Sequence, residues 1–162
     1  MRGLIPIVLA ALAASQAPAA VHPARAAETM VVGRSVGQRL YVPIYSSIHY
    51  LEGQELNFAV TVSIRNTDGS HPIEVEDVQY YGNQGELHDD PFADVGTLGP
   101  LASTQLTIPQ SQRAGDVGAN LIVVWRSSAP VTPPLIEAVM VGSSRAQGFA
   151  FTSRALVLEE LR

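Results

Sequence analysis

The stretch Gly118-Ala119-Asn120-Leu121-Ile122-Val123-Val124-Trp125-Arg126 decides the fold. It carries the one tryptophan and a run of five large apolar residues, three of them β-branched. Such a run reads as a strand covered on both faces, because a strand that is wet on one side alternates apolar with polar. A central strand of a sandwich has that environment. Downstream, past Pro130, Pro133 and Pro134, Leu135-Ile136-Glu137-Ala138-Val139-Met140-Val141 is again apolar on both phases.

Upstream, the alternation is cleaner. Leu56, Phe58, Val60, Val62 and Ile64 interleave with Asn57, Ala59, Thr61, Ser63 and Arg65, which is period two with one face in a core. Leu40, Val42, Ile44, Ser46 and Ile48 oppose Tyr41, Tyr45 and His49; Pro43 removes a ladder donor, so this strand reads as an edge or as bulged. Asp68-Gly69 between two alternating runs reads as a hairpin, with the glycine taking a positive φ. Ile73 and Val75 match one phase and Val78 and Tyr80 the other, which places a bulge near Glu76-Asp77. Asn83-Gln84-Gly85 is a further turn, leading to a short edge strand and a loop at 86–91. Thr104, Leu106 and Ile108 form another strand, and 149–158 the last.

Seven or eight short strands separated by Gly, Pro and Asp turns predict an all-β, antiparallel two-sheet sandwich of immunoglobulin-like type, with a closed β-barrel as the alternative.

Composition bounds the rest. The 162 residues fit a single domain; 46% are hydrophobic and 15% charged, enough for a substantial core. Net charge is −5, and all ten basic residues are arginines spread singly, so no basic stripe exists to track nucleic acid. Arg2, the apolar run 4–14 and the A-x-A sites Ala17-Pro18-Ala19 and Ala24-Arg25-Ala26 read as a signal peptide over 1–27, leaving 28–162 as the sandwich domain. The expected location is periplasmic or secreted, with no stable membrane anchor after cleavage, since Pro6 and Ser15-Gln16 cut the apolar run short of a span. With no cysteine, the domain holds together by packing alone.

Several separated words occur in order: Tyr41-Val42-Pro43-Ile44-Tyr45-Ser46, Ser63-Ile64-Arg65-Asn66-Thr67-Asp68, Tyr80-Tyr81, Gly118-Ala119-Asn120 with Val124-Trp125, Glu137-Ala138-Val139-Met140, and Gln147-Gly148-Phe149 with Phe151-Thr152-Ser153-Arg154. Together they resemble the bacterial exported family called domain of unknown function 3124. The resemblance implies a small envelope protein and brings no reaction, cofactor or catalytic residue with it. Some members look like lipoproteins; this chain departs from them in lacking the cysteine.

Catalytic patterns are missing from the sequence. It has no Gly-x-Ser-x-Gly elbow, no lysine for a phosphate loop and no His-Glu-x-x-His. His88-Asp89-Asp90 with Asp94 could suit a metal, but the spacing matches no known loop and a solvated turn explains it better. Ser46, Ser47 and His49 lack a carboxylate to complete a hydrolase triad. The expectation is therefore a non-catalytic binding module without metal or cofactor, its partner an envelope protein or a second copy. A small-ligand sensor or, further off, a cofactor-independent hydrolase are the alternatives.

Two surfaces are candidates. If the 121–125 and 135–141 runs are neighbours, one phase fills the core and the other, either Ile122, Val124, Ile136, Ala138 and Met140 or the opposite phase with Glu137, forms an apolar interaction surface. Otherwise the Pro-rich 129–134 segment, the terminal strand or the N-terminal part covers that phase. Tyr80 and Tyr81, with Asn120 and Arg126, are the candidate aromatic and polar binding face; ordinary strand composition explains the tyrosines equally simply.

Overall fold

The computed structural model describes residues 33–88, 95–111 and 118–162. The expected leader over 1–27 and the acidic residues Asp89, Asp90 and Asp94 lie outside them. Two antiparallel sheets pack face to face and neither closes into a barrel. The five-stranded sheet has β8 (Asn120–Val131) at its centre, flanked by β1 (Ser35–Pro43) and β5 (Ile73–Tyr81), with β11 (Leu156–Glu160) beyond β1 and β6 (Gly96–Leu98) beyond β5. The four-stranded sheet runs β10 (Gln147–Arg154), β9 (Leu135–Ser144), β4 (Ala59–Arg65), β7 (Ser103–Ile108). A small ribbon pairs β2 (Ser47–His49) with β3 (Glu55–Asn57). The described residues thus hold eleven strands rather than seven or eight: irregular points at Tyr45, Phe58 and Ala155 divide what the sequence presents as continuous runs, and the short strand beside β5 is β6, the edge strand expected from residue 86 being reduced to a Tyr81–Leu87 bridge among the described residues.

The apolar run 121–125 is the central strand its composition demands. Leu121, Val123 and Trp125 point inward between Leu40 and Val42 on β1 and Val75, Val78 and Tyr80 on β5. Facing them are Val60, Val62 and Ile64 of β4 and Ile136, Ala138 and Met140 of β9. Phe58 closes the core at one end, its ring edge-on to Phe151 at 5.1 Å. Every second side chain is inside, so each inward valine or isoleucine contributes about 1.5–3 kcal/mol of burial.

The bulge expected near Glu76-Asp77 is present: the β5–β8 register shifts between Val75 and Asp77, which keeps Ile73, Val75, Val78 and Tyr80 all on the inner face. Of the two expectations for the Pro43 strand the bulge is met, with register shifts against β11 between Arg39 and Leu40 and against β8 between Ser35 and Gly37, and the edge is not. β1 is an interior strand through residues 38–41, and Pro43 lies past the last residue that pairs with β11. Its missing N–H therefore costs no ladder bond, and its carbonyl accepts from Ser153 Oγ at 2.6 Å, tying β1 to β10.

The Asp68-Gly69 turn is not a hairpin. β4 and β5 belong to opposite sheets, and Gly69 is not left-handed. Side chains shape this crossover instead. Asp68 Oδ1 accepts from the backbone N–H groups of Ser70 at 2.9 Å and His71 at 3.0 Å, and Oδ2 from Thr132 N–H at 3.0 Å and Arg34 Nη2 at 3.1 Å. Asn66 Nδ2 donates to the carbonyls of His71 and Gly99, both at 2.9 Å. Buried among these donors, with Thr132 N–H the strongest influence and Ser70 N–H next, the Asp68 carboxyl is held well below the usual carboxylate range. Residues 66–71 thereby lock together one end of both sheets.

Candidate interaction face

The sandwich divides the first candidate surface between two sheets. β8 and β9 are not neighbours: a crossover through Thr132, Pro133 and Pro134 carries the chain from one sheet to the other. Ile136, Ala138 and Met140 are inward and buried in the core, so they form no surface. The outward phase of β9 is Leu135, Glu137, Val139 and Val141, set among Thr61, Ser63 and Thr152 of its neighbours. Ile122 and Val124 are outward on β8, on the opposite side of the molecule's core.

The second candidate face is divided as well. Tyr80 turns into the core, its ring 5.2 Å from that of His88. Tyr81 and Asn120 sit directly opposite each other on the outer face of the five-stranded sheet, and Arg126 lies on the same face farther along β8. The structure thus gathers Ile122 and Val124 from one set with Tyr81, Asn120 and Arg126 from the other.

Strand pairing supplies the rest of this face. One row across the sheet reads Leu156, Tyr41, Ile122, Gln79; the next reads Glu159, Arg39, Val124, Asp77. Pro43, Asn120 and Tyr81 form a third. Ile122 points outward yet is only 8% exposed, because Tyr41 and Gln79 flank it. Val124, half-buried between Arg39 and Asp77, forms with Ile122 the floor of an open groove of about 330 Å³ that Leu161 and Glu159 bound on one side and Arg126 at the end. Tyr81 Oη donates to Gln79 Oε1 at 2.9 Å, which fixes the amide beside the floor. Arg126 is held by Glu76 Oε2 at 3.3 Å.

An aliphatic floor with a rim of both charges suits a protein surface, because the floor gains from dehydration while the rim selects orientation. Among the described residues no cluster of three or more His, Asp or Glu could hold a metal ion, and no helix is long and apolar enough to cross a membrane. Arg39, Asp77, Gln79 and Glu159 escaped the reading of the sequence. Each is an ordinary outward residue of its own strand, and only the register brings them around Val124.

The family model described as "Protein of unknown function (DUF3124)" matches residues 37–158. No curated protein matches the chain. Among solved structures, the crystal structure of Thermotoga maritima 1070 aligns with a TM-score of 0.42 at 11% identity, over 76% of this chain and 97% of that one.

Proposed function

Because the chain belongs to the DUF3124 family of proteins of unknown function, whose model spans all but the outermost strand residues, we propose a role from the molecule's own surface: a non-catalytic binding module of the bacterial envelope. The observation that carries this reading is the Ile122–Val124 floor, an outward apolar strip on the central strand of a sheet against which the described residues place no second layer of strands. Outward positions on β4 and β7 are mostly threonine, serine, glutamine and arginine, as on water-facing strands, whereas those on β9 are Leu135, Glu137, Val139 and Val141. On β8 they bear isoleucine and valine between two tyrosines, Tyr41 and Tyr81. The occupant that fits is a partner protein that seats an apolar side chain on Val124 and pairs polar groups with Arg39, Asp77 and Arg126. The signal-like leader over 1–27 supports export to the periplasm or beyond.

Capture from an envelope extract tests the reading. Val124→Glu and Arg39→Ala are expected to lose a partner that wild type retains, while Val139→Glu, on the outer face of the other sheet, keeps it. Equal retention by all four proteins would refute the assignment of this face. Unchanged circular dichroism would show that Val124→Glu remains folded.

A further inference from the structure

The outermost strand of the five-stranded sheet is unlike the other edges. β7 and β10 end the four-stranded sheet with Ser, Thr, Gln, Gly, Ala and Arg at their exposed positions. β11 instead exposes three consecutive large apolar residues: Leu156 at 63%, Val157 at 42% and Leu158 at 53%. On one side β11 bonds to β1; among the described residues it ends the sheet on the other, so a line of backbone N–H and C=O groups faces outward beside those side chains. Leu158 is the extra residue of the bulge opposite Arg39 and Leu40, with no partner of its own in β1. An apolar edge without lysine or proline to blunt it is a template for another strand.

We propose that a second copy of this chain pairs antiparallel with β11 about a two-fold axis at Val157. The strand is complementary to itself in that register. Val157 meets Val157 of the other copy, and Leu156 meets Leu158. Glu159 falls opposite Ala155, so no like charges meet next to the apolar centre. Registers centred on Glu159 would instead oppose like charges. Such an interface is isologous and closed, and it would join two five-stranded sheets into one of ten strands. This edge adjoins the Val124 recess through Glu159, but Val157 and Leu158, where it is tested, do not line the recess, so either surface can fail while the other stands.

Sedimentation velocity on the protein as processed by its host tests the proposal. Wild type is expected to dimerise with a dissociation constant that Leu158→Glu raises by about tenfold or more. Because the chain has no cysteine, Val157→Cys gives a single thiol on the two-fold axis, and mild oxidation should link two copies through it, whereas Glu52→Cys should not. A strict monomer up to about 100 μM, a range that admits weak pairs, overturns the proposal, as does a dimer indifferent to Leu158→Glu. A dimer in which Val157→Cys does not cross-link refutes the register.

Discussion

Met140 and Val141 are adjacent on β9, and the sandwich gives them opposite fates: Met140 is fully buried, Val141 is 52% exposed. Met140 lies between Val60 on β4 and Phe151 on β10 in the sheet and faces the Trp125 layer across the core. Met140→Ala removes three side-chain atoms, each comparable to a methylene, so the lost burial is about 2.4 kcal/mol at roughly 0.8 kcal/mol per group. A partly collapsed cavity adds about 1 kcal/mol at roughly 24 cal/mol per Å³. The total is about 3–4 kcal/mol, which for a domain of this size lowers the melting temperature by about 10–15 °C. Val141→Ala, which removes two exposed groups, should cost at most about 0.5 kcal/mol. Urea unfolding followed by Trp125 fluorescence measures both, with the slope checked for constancy. If Val141→Ala proves the costlier, or Met140→Ala falls below about 1 kcal/mol, β9 presents its other phase to the core and the sheet assignment fails.

Three further outcomes follow from close contacts and turns. Gly142→Ala should destabilise by about 1–3 kcal/mol, because a Cβ there would stand 2.5 Å from the Asn57 carbonyl oxygen and 2.9 Å from the Phe58 ring; urea midpoints measure it. Gly69→Ala should be neutral or raise stability by up to about 1 kcal/mol, since Gly69 has no atom within 4 Å of its Cβ position and is not left-handed; a loss would restore the hairpin geometry. Asp68→Asn should lower the melting temperature at neutral pH. Since folding holds the Asp68 carboxyl below its ordinary value of 3.8, the wild-type advantage is complete above that value. It shrinks as the pH falls toward the depressed folded value, so the two melting curves converge only in strong acid. A gap that closes near pH 5 would contradict the hydrogen-bond network around Asp68.

Alternation within a strand is a local property, and the residues that depend on it were legible. The inward set of β4, the bulge at Glu76-Asp77 and the inward phase of the Trp125 strand all follow from side chains alternating across a pleat, whereas the cover expected over the outer phase of that strand is an open groove. Which strands become neighbours is a non-local property. Leu135 to Val141 looks like a partner of the Trp125 strand because both runs are apolar, yet Thr132, Pro133 and Pro134 carry it into the facing sheet, and Ile136, Ala138 and Met140 meet Trp125 across the core rather than beside it. Asp68-Gly69 misleads for a related reason: the dipeptide favours a hairpin locally, while Asn66 and Asp68 bind backbone from Gly99 and Thr132, which only the folded chain brings near. Tyr80 and Tyr81 look like a pair in sequence and are separated by the thickness of the sheet.

β1 takes its two partners from the far half of the chain, β8 on one side and β11 on the other. Leu40, Val42 and Ile44 thus have no strand to pair with while the first half of the polypeptide is being made, and the ladder that holds them closes only when the last residues arrive. Topologies dominated by such distant pairings fold slowly. A nascent chain of this kind keeps apolar strand surface unpaired until β8 and β11 are made, which leaves its folding time, rather than its final stability, as the step most exposed to proteolysis.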